Sequence, residues 1–171
     1  MGDTIKPLEP PDIHHASAAL GWLGLGNHLE ANDELEKIAP QLRAHPDVLE
    51  IRWQICAKEL KWEACNDIAR TITQTDPCRA SGWIHFAYST RRAPTGSLEA
   101  ARDILIPAAE KFPQVSIIPY NLACYACQLG DLKEAMQWLE KAIELAVKND
   151  IRGMALNDPD LEPLWKQISE I

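Results

Sequence analysis

Between Ser116 and Leu145 the chain holds two amphipathic helical patterns joined by Gly130-Asp131. Neither helix can bury its apolar stripe without a neighbour. Leu122, Ala123, Ala126 and Leu129 recur at helical spacing before the turn, and Leu132, Ala135, Leu139, Ala142 and Ile143 recur after it. The pattern predicts a helical hairpin. Ala123, Ala126, Ala135 and Ala142 are small where a bundle ordinarily places a large side chain. The two backbones therefore approach closely, and a further hairpin can nestle against them.

The same arrangement recurs upstream with decreasing regularity. Residues 81–113 place Trp83, then Phe86-Ala87, then a turn at Gly96, with Ala100 or Ala101 and Ala108 or Ala109 in the second helix and Pro113 closing the unit. Its turn, Arg92 to Gly96, is about two residues longer, and Pro94 ends the first helix there. Pro107 predicts a kink or break near Ile106, because an interior proline removes a hydrogen bond at a cost of about 3 kcal/mol. Residues 47–77 carry Val48, Ile51 and Ile55 on one stripe and Leu49, Trp53, Cys56 and Leu60 on another. Ala64, Ile68 and Ile72 follow in the second helix, and Asp76-Pro77 closes a unit whose turn lacks glycine. Earliest, residues 14–47 turn at Gly26-Asn27 and continue into a long helix marked by Ala31, Leu35, Ile38 and Leu42, which Pro40 is expected to bend. From Gly26 to Gly96 to Gly130 the steps are 70 and 34 residues.

Leu122, Ala123, Gly130, Ala135 and Ala142 hold the slots of the tetratricopeptide repeat, a unit of about 34 residues that this chain resembles. It departs from the pattern in having Pro119 where a Trp is usual and no proline after Leu145. The resemblance extends over four units in residues 14–147. It implies an all-α fold, a right-handed superhelix of stacked antiparallel helix hairpins (a TPR-like α-solenoid), with hairpins at about 12–45, 46–77, 78–113 and 114–147. Residues 148–171 resemble the capping helices that cover the last apolar face of such arrays. Leu161, Leu164, Trp165 and Ile168 form their apolar side, with Trp165 expected as a buried anchor. Residues 1–11, with Pro7, Pro10 and Pro11, lack periodicity and are expected to be an extended or disordered lead-in.

Charge narrows the function. The 171 residues carry 25 acids and 17 bases: residues 1–50 sum to −6, residues 51–100 to +2 and residues 101–171 to −4. No basic stripe of the kind nucleic acids or anionic membranes attract is present, so neither is an expected partner. No apolar run approaches the roughly 20 residues of a membrane span, and the first residues form neither a basic nor an apolar leader. Gly2 lacks the Ser or Thr at position 6 that myristoylation requires, since Lys6 stands there. Five cysteines, each in or beside a helical pattern, fit reduced thiols in the cytoplasm better than a disulfide framework.

Chemistry-bearing motifs are few. Cys124-Tyr-Ala-Cys127 has redox-dithiol spacing but lies inside a helical pattern, away from the helix N-terminus such pairs use. Cys56, Cys65 and Cys78 lack matching His spacing for zinc. His14 and His15 point to different helix faces. Asp158, Asp160 and Glu162 lack the glycine and the twelfth-position ligand of a calcium loop and fit a helix N-terminus instead. Neither phosphate-binding nor hydrolase fingerprints occur. The expectation is no enzyme, no cofactor and no metal.

The resemblance places function on a concave wall made by the first helix of each hairpin. Carried onto this chain, that wall comprises Leu49, Trp53 and Cys56, then Ile84, Tyr88, Arg91 and Arg92, then Tyr120, Cys124 and Gln128, unless Trp53 and Tyr88 pack between hairpins instead. Arrays that grip a carboxylate end use Lys and Asn at successive positions, and only Asn121 matches. The expected activity is noncatalytic binding of an extended or helical segment of a protein or peptide partner by a monomer or weak homo-oligomer. The alternatives are a secretion-type chaperone, a self-assembling scaffold and a thiol redox protein using Cys124 and Cys127.

Overall fold

The computed structural model describes residues 5–146 and 150–170, and every element among them is helical. In order these are α1 (Asp12–Gly24), α2 (His28–Glu36), a 3₁₀ turn (Pro40–Leu42), α3 (Pro46–Lys58), α4 (Trp62–Thr75), α5 (Ala80–Arg92), α6 (Leu98–Lys111), α7 (Ile117–Gln128), α8 (Leu132–Leu145), α9 (Ile151–Ala155), a second 3₁₀ turn (Pro159–Leu164) and α10 (Trp165–Glu170). They group into two compact units, one ending at Ser89 and one beginning at Thr90, so α5 contributes residues to both.

Local chemistry sets the hairpin turns. Asn27, Ser97 and Asp131 cap α2, α6 and α8, their side-chain oxygens accepting from the N–H groups of Glu30, Ala100 and Glu134. Each satisfies one of the donors that a helix start leaves free. Gly26 and Gly130 adopt left-handed backbone at φ 79° and 87°, and Leu60 does so at φ 58° in the α3–α4 turn, where the sequence offers no glycine. Gly96 serves a different need: a Cβ there would stand 1.7 Å from the Thr90 carbonyl oxygen.

The second half of each hairpin buries the same three positions, the third of them just past the end of α2 in the first hairpin. Ala31, Leu35 and Ile38 recur as Cys65, Ala69 and Ile72, then as Ala101, Leu105 and Ala108, then as Ala135, Leu139 and Ala142, each at most 1% exposed. The steps are 34, 36 and 34 residues, and the longer α5–α6 turn accounts for the 36.

In the first unit the core gathers Ala16, Ala19, Leu35, Ile38, Val48, Ile51 and Ile55, and Leu8 joins it from the segment before α1. His45 holds that segment as well, its Nε2 lying 2.8 Å from the Lys6 carbonyl oxygen. The lead-in expectation for residues 1–4, and the boundary expectations on residues 147–149 and 171, lie outside the described residues. In the second unit Leu105, Ile118, Leu122, Leu139, Leu161, Leu164 and Ile168 are all fully buried.

Two expectations about prolines change. The second helix of the first hairpin ends at Glu36, and Pro40 opens a separate turn. Proline disfavours helical backbone in the residue before it, and Ala39 is accordingly extended, its N–H donating to Asp12 Oδ1 at 2.7 Å. Helix α6, conversely, runs through Pro107 without a break. Pro107 is exposed, so water can reach the Asp103 carbonyl it leaves without a donor. Trp165 is half-buried, not fully buried, and donates from Nε1 to the Ala155 carbonyl at 2.9 Å.

Candidate functional site

Two first-helix faces carry chemistry, one in each unit. In the first unit, α1 and α3 enclose a cavity of about 360 Å³ with Ile13 and Leu20 on one side and Asp47, Glu50 and Gln54 on the other. Its charged groups are paired. Glu50 accepts from Ser81 through Oε1, and its Oε2 is 2.7 Å from His85 Nε2. Burial works against the Glu50 charge, but the His85 and Ser81 hydrogen bonds outweigh it and hold this carboxyl below its ordinary value. Arg79 reaches Asp47 at 2.8 Å and Asp76 at 2.9 Å.

Of the sequence-derived wall in this unit, Leu49 and Trp53 turn inward, each 8% exposed. Trp53 stacks on His85 with ring centroids 3.8 Å apart and meets the edge of Tyr88 at 6.0 Å. Cys56, Ile84 and Tyr88 are half-buried, and Tyr88 also lies 5.9 Å from the Trp62 ring. Trp53 occupies the position that Ala19, Ala87 and Ala123 fill in the other hairpins, all of them fully buried. A tryptophan in a small-residue slot disguises the register. The signal that fixes it is Cys65, Ala69 and Ile72, in step with Ala135, Leu139 and Ala142. That register moves the open face of α3 one residue on, to Glu50 and Gln54.

In the second unit, Tyr120, Cys124 and Gln128 stand one turn apart on α7, beside Arg91 at the end of α5. The structure brings all four together around residues 158–160. Tyr120 donates its hydroxyl to Asp158 Oδ2 at 2.7 Å, and the Cys124 thiol lies 3.6 Å from the same oxygen. Arg91 grips both oxygens of Asp160, one of them at 2.7 Å. Gln128 Nε2 donates to the Asp160 backbone carbonyl at 3.0 Å. Arg91 also lies over the Tyr125 ring, 5.6 Å from its centroid. The Asp160 hydrogen bonds hold the Arg91 proton more firmly than usual, while burial, then Asp158, pushes the Tyr120 hydroxyl up. Arg92 is half-buried. Sequence reasoning assigned Asp158 to helix capping, and Asp158 Oδ1 does accept from the Asp160 N–H at 3.0 Å. It missed the contacts to α5 and α7. The available signal was charge: the acids that follow the last hairpin and the Arg91-Arg92 pair that ends α5.

Cys124 Sγ and oxygens of Asp158 and Asp160 lie within 4.8 Å of one another. The donor set fits hydrogen bonding better than a cation. Asp160 has both oxygens on Arg91, whose charge repels a metal, and Asp158 already receives Tyr120 and Cys124. Burial, followed by the two aspartate charges, pushes the Cys124 thiol well above its ordinary value, and the same causes raise Cys127. Both effects disfavour the thiolate that redox chemistry needs.

No protein-family model and no curated protein matches the sequence. Solved structures do. A thermophilic TPR protein of Thermus thermophilus superposes with a TM-score of 0.72 at 16% identity, covering 94% of this chain and all of that one. The chain has the tetratricopeptide-repeat fold. A structure of MamA MSR-1 is similar at a TM-score of 0.62 and 14% identity, covering 77% of this chain and 74% of that one. The first-helix faces of this fold divide here into an open one on α1–α3 and a filled one on α7. No helix among the described residues is long and apolar enough to cross a membrane.

Proposed function

We propose that this chain is a noncatalytic protein-interaction module that receives an extended or helical segment of a protein partner on its first-helix faces. The observation that carries the reading is the α1–α3 face. Ile13 and Leu20 remain 39% and 48% exposed beside a cavity whose rim charges are already paired. An apolar seat inside a satisfied polar rim is the anatomy of an interaction core. Of the wall expected from sequence, Leu49, Trp53, Cys56, Ile84, Tyr88, Arg91, Arg92, Tyr120, Cys124 and Gln128, the proposal keeps two separate faces: Ile84 and Tyr88 in the first unit, and Arg91, Arg92, Tyr120, Cys124 and Gln128 in the second. On α3 the proposed contacts become Glu50 and Gln54.

The proposed setting is the cytoplasm, where five unpaired cysteines stay reduced. Affinity capture with Leu20→Asp and Gln54→Arg variants tests the function, with Lys141→Glu on the outer face of α8 as control. Loss of the captured partner in the first two and retention in the control is expected. Equal capture by all three would overturn the assignment.

A further inference from the structure

We propose that Arg91, Tyr120, Cys124 and Gln128 form a recognition site for an extended acidic segment with two aspartates one residue apart. Asp158 to Asp160 occupy the site in cis, and a protein partner presenting such a segment takes their place. The proposal rests on reading the chain as a partner-binding module, and it adds the chemistry of the partner.

The contacts are those of ligand recognition. One aspartate is read by a hydroxyl and a thiol, the other by a bidentate guanidinium, and the backbone between them by an amide. A guanidinium–carboxylate fork fixes position as well as charge. Capping the array does not require any of this. Leu161, Leu164 and Ile168 are fully buried and cover the apolar end themselves. Removing Arg91 and Asp160 from water opposes folding unless each is matched, so a cap selected only for burial would use apolar residues here.

The segment is also placed to lift. Ile151 and Ala155 are buried on its upstream side and Leu161 on its downstream side, and Asn157 and Pro159 between them are exposed. Five residues, 156–160, thus bridge two anchored points. Asp158 is extended at φ −95° and ψ 113°. The Asp160 side chain remains 26% exposed, so solvent and a competing carboxylate can reach the pair. Tethering gives the cis segment a high effective concentration, so a trans segment succeeds only with further contacts or after the cis aspartates are weakened.

The test uses the full chain and a fluorescein-labelled peptide of residues 156–162, followed by anisotropy. The Asp158→Asn/Asp160→Asn chain is expected to bind it saturably, and the wild-type chain at least about tenfold more weakly. A peptide with both aspartates changed to asparagine should lose about tenfold or more, and adding Arg91→Glu to the double variant should abolish binding. No binding by a folded double variant, or equal binding of the asparagine peptide, overturns the proposal. If the double variant does not fold, hydrogen exchange of the wild-type chain in excess peptide decides. Faster exchange at residues 157–160 is expected, and unchanged exchange overturns the proposal. Leu20→Asp should leave peptide binding intact. Failure of the peptide alongside Leu20-dependent partner capture defeats this proposal alone, and the reverse outcome defeats the α1–α3 assignment alone.

Discussion

Leu60 holds a left-handed backbone that costs a residue with a Cβ about 1–2 kcal/mol. Its side chain is 69% exposed, so little packing would be lost with it. Leu60→Gly is expected to stabilise the protein by about 0.5–1 kcal/mol, strain relief exceeding the entropy glycine adds to the unfolded chain. A urea titration with no gain in midpoint would contradict this. Ala135 is fully buried where two helices approach, and Ala135→Leu should destabilise by about 1–3 kcal/mol through overpacking. An unchanged melting temperature would mean that α8 has another register. Alanines at such contacts were legible in the sequence, since their size sets the packing distance. Leu60 was not, because the hairpin around it imposes its backbone against its own preference. Trp53 was legible only as two alternatives, the groove or packing between hairpins, and the slot between α3 and α5 takes it in.

At the scale of elements, helices and their turns followed from periodicity and caps, whereas proline effects depended on surroundings. Around Pro40 the chain leaves α2 at Glu36, and extended Ala39 separates it from the 3₁₀ turn that follows. Pro107 interrupts no helix, because the carbonyl it leaves without a donor lies at the exposed surface. The tie between α3 and α5 is electrostatic as well as aromatic. Glu50 lies between Ser81 and His85, and its carboxyl is held below the ordinary 4.5, so the folded state favours its ionised form. Its contribution is complete above 4.5 and is lost as pH falls through the lower folded value. Melting temperature should therefore drop below pH 4.5 in the wild type and drop less steeply in Glu50→Gln. Parallel acid limbs would show that this pair does not contribute. The aspartates of 158–160 were visible as acids but not as ligands of α5 and α7, because their partners lie 32 to 69 residues away and no local pattern records such a contact.

At the scale of the whole molecule, the steps of 34, 36 and 34 residues in the buried triplets hold four hairpins in one architecture at 16% identity to a solved structure. Repetition made the fold legible. It left the binding faces less so, because outward positions follow no common chemistry from hairpin to hairpin: Leu20, Gln54 and Tyr88 hold one first-helix position. Thiol chemistry provides a molecule-wide check. Cys78 is exposed, burial raises Cys56, Cys65 is pushed up to about 12 by burial, and Cys124 and Cys127 are buried. Titration of the native protein with a thiol reagent should show Cys78 reacting fast and Cys124 and Cys127 reacting only on unfolding. Rapid modification of Cys124 would revive the redox alternative.

The most direct measurement of the central claim places a photo-crosslinking amino acid at Gln54 on the open face of α3 and, separately, at Lys141 on the outer face of α8. The account predicts a partner adduct from position 54 that disappears with Leu20→Asp and is absent from position 141. Adducts of equal yield from both positions, or one at 54 indifferent to Leu20, would contradict it.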